Sequence, residues 1–225
     1  MLIEEAKWLG KQLCDLGNEY FPMINIGSSS IIYRTQIQPH IDEFIFKPLR
    51  EQNKKVFHTD IKNEEGVDLV GDLTDEQYIM QLKSMGIKII LCSNVLEHVE
   101  YPQNLCLCLE KIIPSEGIII VTVPHRYPYH RDPIDTKFRP SIEQLFELFS
   151  DSVLLKSELV TSSETHAKSL WKKFCHGNFL DIFNIVKRWI LPLRGTDEWR
   201  KARTDMFHLF KPFQITCIIL KKKTL

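Results

Sequence analysis

Between His125 and Asp135 the sequence reads HRYPYHRDPID, a run unusually dense in titratable side chains. His125 and His130 can take a proton from a hydroxyl nucleophile near neutral pH. Tyr127 and Tyr129 are placed to contact a substrate, and Pro124, Pro128 and Pro133 stiffen the run. A metal set could be assembled from His125, His130, Asp132 and Asp135, because imidazole and carboxylate are both ligands. No strict ligand spacing supports it, so no metal is expected, and Asp135 is expected to pair with Arg139. A second polar group, Ser93, Asn94, Glu97 and His98, lies upstream. His98 is expected to bond loop backbone, with substrate contact as its functional alternative.

Each polar group follows an apolar run, Ile87 to Leu91 and Ile118 to Val123, long enough for a strand buried on both faces. Ligands of open α/β sheets lie in the crevice beyond the carboxyl ends of the strands. The polar residues therefore predict a site. Upstream, Asn25-Ile26-Gly27-Ser28-Ser29-Ser30-Ile31 is a strand running into a turn of small residues, which lets a ligand approach the backbone closely. An acid, Asp60, ends the next strand and is placed to accept the hydroxyls of a ribose, each such bond contributing roughly 1.5–3 kcal/mol. Asp72 repeats that placement after the third strand.

Regular elements must hold these residues in place. Leu2, Ala6, Leu9, Leu13, Leu16 and Tyr20 recur at spacings of four and three, predicting a helix that ends near Gly17 and Asn18. Strands are expected at 23–26, 55–62, 67–70, 87–92, 117–124, 153–160 and 213–220. Helices between them start at Asp75 behind a Thr74–Gln77 capping box, near Pro102, and behind a Ser141–Gln144 capping box. Glu97 and His98 are expected to begin the helix that contains Pro102. Strands alternating with helices predict an α/β fold with a mostly parallel sheet and helices on both faces. Residues 162–211 break the alternation with helical segments containing Trp171, Trp189 and Trp199.

The chain of 225 residues is balanced in charge overall but not along its length. Residues 1–161 carry 16 basic and 24 acidic side chains, a net −8, whereas 162–225 carry 13 and 5, a net +8. The basic, aromatic segment suits an anionic partner or peripheral contact with a membrane surface, and a homodimer contact is the competing use. Six scattered cysteines form no Cys-x-x-Cys pair, so reduced thiols in a cytoplasmic protein are expected. The acidic N-terminus is unlike a signal peptide, and no apolar run is long enough to span a bilayer.

The stretches HTDIKNEEGVDLVGDLTD and SNVLEHV, with the Gly27 turn, resemble the class I S-adenosylmethionine-dependent methyltransferases, in particular the "type 11" group. The resemblance implies a Rossmann-like seven-stranded sheet whose last strand is antiparallel. It divides one domain, 1–225, into an N-terminal helix (1–20), a donor-binding core (21–161), a helical cap insertion (162–211) and a final strand (212–221). It implies S-adenosylmethionine as cofactor and S-adenosylhomocysteine as product. Asn25, Gly27, Ser28, Ser29, Asp60, Ile61, Asp72, Leu73, Ser93 and Asn94 would bind it, with Asp60 on the ribose and Asp72 and Leu73 on the adenine. Of the family's acid-x-Gly-x-Gly-x-Gly pattern only Gly27 matches; Asn25, Ser29 and Ile31 replace the rest. Ser-Asn-Val-Leu stands where base N-methylating enzymes carry Asp/Asn-Pro-Pro-Tyr/Phe, so a nucleic-acid base is not the expected acceptor. A small molecule, a sugar or an anionic compound is expected instead. The competing reading is a Rossmann-like binding protein that keeps the nucleotide site without transfer.

Overall fold

The computed structural model describes residues 1–128, 134–165 and 209–224, with residues 167, 168, 171 and 175. Helix α1 (Ile3–Cys14) carries Ala6, Leu9 and Leu13 on its buried face. It stops short of Gly17, and a separate turn at Asn18–Tyr20 leads into β1 (Met23–Ile26). Residues 31–51 form a helical run not resolved in the sequence pattern. Two π-type turns, Tyr33–Ile37 and Asp42–Phe46, flank α2 (Pro39–Ile41), and α3 (Lys47–Glu51) follows.

Then come β2 (Val56–Asp60), β3 (Leu69–Val70), α4 (Glu76–Ser84), β4 (Ile89–Ser93), α5 (Pro102–Ile112) and β5 (Ile118–Arg126). The chain continues through α6 (Ile142–Phe146), β6 (Ser152–Thr165) and β7 (Pro212–Lys222). Helix α4 is capped by the Asp75 carboxylate, which accepts from the Gln77 N–H, and not by Thr74. The Ser141–Gln144 capping box forms as expected. Strand β6 runs to Thr165, past the strand end expected at 160, because it stays paired with β7 down to Thr165 opposite Pro212. The 162–211 segment otherwise lies largely outside the described residues, as do Trp189 and Trp199, while Trp171 is exposed.

The sheet order is β3-β2-β1-β4-β5-β7-β6, and only β7 runs antiparallel to its neighbours. The order reverses at β1/β4, where the crossovers pass from one face to the other. Alternate residues of the central strands feed the two faces. Ile24, Ile90, Ile119 and Ile218 pack under α4 and α5. Met23, Ile89, Ile118 and Cys217 pack under α1 and the 31–51 run. No helix among the described residues is long and apolar enough to cross a membrane.

Helix α1 lies so close to the 31–51 run that a Cβ on Gly10 would collide with the Phe44 carbonyl. That carbonyl is backbone and cannot swing aside. Gly10→Ala is expected to destabilise the protein by about 1–3 kcal/mol, the usual cost of overpacking, despite alanine's better helix propensity. Denaturant unfolding checks this, and an unchanged midpoint would show that α1 can shift at no cost.

Candidate functional site

A cavity of about 510 Å3 opens beyond the carboxyl ends of β1, β2, β3 and β4, within the size range of small-molecule sites. It brings together Asn25, Gly27, Ser28 and Ser29 from the first turn with Asp60 and Ile61 from the second. Asp72 and Leu73 line it after β3, and Ser93, Asn94 and His98 after β4.

The first turn is built around two left-handed residues. Gly27 has φ +66°, and a Cβ there would come within 2.6 Å of the Val95 side chain, so glycine is required. Ser29 takes φ +56° without glycine's freedom. Three contacts hold it in place. The Ser28 N–H donates to the Thr59 carbonyl at 3.0 Å, and the Ser29 N–H to Asp60 Oδ2 at 2.8 Å. The buried Arg34 guanidinium donates to the Ser28 and Ser29 carbonyls and, across to the β2–β3 connection, to the Gly66 carbonyl. Burial pulls the Arg34 pKa down from its very high ordinary value and Asp68 pulls it back up, so the group stays charged. Arg34 escaped the sequence reading, although it is the only Asp, Glu, Lys or Arg between residues 20 and 41.

Asn25 contacts His58 on β2, with Nδ2 and Nδ1 3.2 Å apart. Burial, helped by the nearby Arg34 charge, pushes the His58 pKa down to about 4. The neutral ring therefore accepts at Nδ1 from the amide, which leaves the Asn25 oxygen to meet a ligand. Asp60 accepts one backbone N–H on each oxygen, from Ser29 at 2.8 Å and Lys62 at 3.1 Å. Asp72 accepts from the Thr74 N–H at 2.8 Å.

Behind Ser93 and Asn94 at the β4 end of the cavity stands a carboxylate from far away in sequence, which does not itself line the cavity. Glu5 on α1 is fully buried. Its Oε1 accepts from Thr122 Oγ1 (2.6 Å), Asn94 Nδ2 (2.7 Å) and Ser93 Oγ (3.1 Å), and its Oε2 from the Leu2 N–H (3.1 Å). The sequence held one clue to it: Glu5 lies four residues before Leu9, on the apolar face of α1. Asn94, at φ +54°, is thereby fixed at the tip of β4.

Glu97 and His98 do not begin α5. They occupy a separate turn, Leu96–His98, because residues 99–101 leave helical geometry before Pro102 starts the helix. The segment after β5 is stitched onto that turn. His98 Nδ1 meets the Ile134 carbonyl, and both the N–H and the hydroxyl of Thr136 donate to the Glu97 carbonyl. Asp135 and Arg139 pair at 2.7 Å, as expected. His125 Nδ1 meets the Pro140 carbonyl at 3.0 Å, and Tyr127 packs against the Phe213 ring at 5.0 Å. Neither His125 nor Tyr127 lines the cavity that gathers the other residues. Tyr129 and His130 lie outside the described residues.

No sequence-family model and no curated protein matches the chain. Solved structures do. A candidate sarcosine dimethylglycine methyltransferase from Galdieria sulphuraria superposes with a TM-score of 0.52 at 10% identity, over 98% of this chain and 86% of that one. A candidate methyltransferase from Bacillus halodurans gives 0.51 at 10% identity, over 96% and 97%. Coclaurine N-methyltransferase, solved with N-methylheliamine and S-adenosylhomocysteine, gives 0.51 at 15% identity, over 95% and 70%. The chain has the class I methyltransferase fold. In that fold the cavity lies at the switch point between β1 and β4, where ligands of open α/β sheets are held.

Among the described acids, Glu97 is the most perturbed. Its side chain is buried, and Oε2 has no hydrogen-bond partner. Burial, reinforced by the nearby Glu5 and Asp135 charges and opposed by Arg139, pushes its pKa up to about 7. Between the ordinary glutamate value and about 7 the folded state therefore holds a proton that the unfolded chain has lost. Stability from this group is present below that window and is lost as pH rises through it, by on the order of 3 kcal/mol. His58, with its lowered pKa, acts in the opposite direction between about 4 and its ordinary value. Comparing a variant with the parent separates the two. Glu97→Gln is expected to match the parent's stability near pH 4 and to exceed it at pH 8. A stability difference that does not change with pH would show that Glu97 is ordinary.

Proposed function

We propose that the protein binds S-adenosylmethionine in this cavity and transfers its methyl group to a small-molecule or sugar acceptor. The observation that carries the reading is the convergence of the Gly27 turn, Asp60, Asp72 and Asn94 on one cavity of ligand size, beyond the strands where this fold holds ligands. Asp60 keeps two lone-pair sites after its two backbone bonds, matching the two hydroxyls of a ribose. Asp72 and Leu73 stand beside each other to take the edge and face of an adenine. The Asn25 oxygen and the Gly27–Ser29 backbone suit the amino-acid end of the donor. The sulfonium then falls near Ser93 and Asn94.

Transfer would be direct displacement. The acceptor atom attacks the methyl carbon in line, the carbon–sulfur bond breaks with its pair going to sulfur, and S-adenosylhomocysteine leaves. Holding donor and acceptor in that line can contribute about 7–11 kcal/mol, more than any proton acceptor adds. His125, with one ring nitrogen on the Pro140 carbonyl, keeps the other as a base for an acceptor reaching it from the β5 side.

Titration calorimetry with S-adenosylmethionine and with S-adenosylhomocysteine tests the reading. Micromolar binding of both is expected, and Asp60→Ala should weaken each by about 2–4 kcal/mol with the circular dichroism unchanged. A folded protein that binds neither would remove the donor from the cavity. Donor binding without transfer to any acceptor would favour the non-catalytic reading.

A further inference from the structure

The Gly27–Ser29 turn is gripped by one side chain that itself lines the cavity. Arg34 is only 5% exposed. Its Nη1 donates to the Ser28 carbonyl at 2.9 Å and to the Ser29 carbonyl at 2.5 Å, and its Nη2 to the Gly66 carbonyl at 2.8 Å. The carboxylates of Asp68, Asp42 and Asp60 act on it through space, but its bonds go to backbone. Gly66, at φ +82°, makes room for it: a Cβ there would stand 3.0 Å from Arg34 Nη2 and 2.6 Å from the Ile31 Cβ. The Ile31 N–H adds a second tie to the same connection, donating to the Glu65 carbonyl at 2.8 Å. A buried cation committed to carbonyls of two chain segments fixes backbone geometry rather than balancing charge.

We propose that Arg34 is the positioning residue of the donor site, holding Ser29 in the left-handed conformation at a place that the family pattern gives to glycine. The proposal rests on the donor site argued above and names the residue that keeps it assembled. Ser29 lies at φ +56°, a region that is costly for a residue with a Cβ. The Ser28–Ser29 peptide is planar, so its carbonyl and its N–H point in opposite directions. Arg34 holds the carbonyl, and Asp60 Oδ2 receives the N–H at 2.8 Å. The two charges therefore grip one peptide from opposite sides, and the cation on the oxygen polarises the N–H toward the carboxylate. Without the clasp, Ser29 relaxes toward negative φ, which turns its N–H off Asp60. The Asp60 carboxylate then loses one of the two N–H groups that orient it. Glycine at position 29 would keep the same turn with no clasp, because it adopts positive φ at no steric cost. Arg34 and Ser29 thus do together what one glycine does alone.

Calorimetry with S-adenosylhomocysteine on paired variants tests the clasp. Arg34→Lys keeps the charge but loses the planar fork that reaches all these carbonyls. It is expected to weaken binding about tenfold, the affinity falling with the fraction of protein whose turn is correctly formed. Adding Ser29→Gly to Arg34→Lys should return the affinity to within about threefold of the unaltered protein. Adding Ser30→Gly instead, at a residue whose φ is not positive, should return nothing. A residue needed only for folding would show no such choice between neighbouring positions. Ser29→Gly alone should leave the affinity within about twofold, since the turn is already held. If Arg34→Lys does not fold, Gly66→Ala crowds the guanidinium from the other side, and Ser29→Gly should rescue that variant in the same way. Full affinity in folded Arg34→Lys, or no recovery with Ser29→Gly, overturns the proposal. An unaltered protein that does not bind S-adenosylhomocysteine is a different result, and removes the donor site and its clasp together.

Discussion

The Glu5 carboxylate ties helix α1 to the ends of β4 and β5, the strand ends beside the cavity. Helix α1 lies on the sheet through Ala6, Leu9 and Leu13, a contact that is broad and tolerant of small slides. The hydrogen bonds to Glu5 are not tolerant. Three of the four fix α1 against the ends of β4 and β5 through Ser93, Asn94 and Thr122, within the narrow distances that charged hydrogen bonds require. Burying the anion is expensive, and those bonds offset the cost only if the geometry is kept. The hydrophobic face thus supplies the adhesion and the carboxylate supplies the register. The left-handed Asn94, and with it the floor of the cavity, depends on both.

The supports behind the two ends of the cavity are built on opposite electrostatic plans. Around the first turn a buried cation, Arg34, is spent on three backbone carbonyls, and the neighbouring His58 is kept neutral. Near β4 the buried Glu5 takes its hydrogen bonds from neutral donors, and the buried Glu97 has an oxygen with no hydrogen-bond partner among the described residues. Asn25 replaces the acid of the family pattern beside that Arg34-His58 pair and bonds the imidazole as a neutral donor. A carboxylate at position 25 would instead need His58 Nδ1 to donate, which the other neutral tautomer of the ring can do, so the amide and a carboxylate call for opposite tautomers at this contact.

The strands of the sheet were legible because the signals are short-range. Ile89–Ser93 and Ile118–Arg126 are apolar runs bounded by polar turns, and Ser141 caps its helix as its local sequence requires. The acids at strand ends were legible too, because a parallel strand that stops in an α/β sheet points its last residues at the crevice. Arg34 and Glu5 were not. Each acts across a long stretch of sequence, on Gly66 and on Thr122, and no local spacing distinguishes a buried charge from a solvated one. The 31–51 run was missed for another reason: its π-type turns break the 3.6-residue period on which helix recognition relies. The β6 boundary was set too early because cross-strand pairing with β7, not residue type, keeps the strand extended to Thr165.

The long ladder between β6 and β7 has a consequence for how such a protein can change. Thr165 and Pro212 are held opposite each other by the hairpin, so the chain between them enters and leaves at one fixed point on the sheet edge. Lengthening a segment whose ends are already clamped costs little in closure entropy, about 0.6 kcal/mol per doubling. Changes in the length of the chain between residues 165 and 212 can therefore be taken up at this one point without disturbing the β6–β7 ladder that clamps its ends.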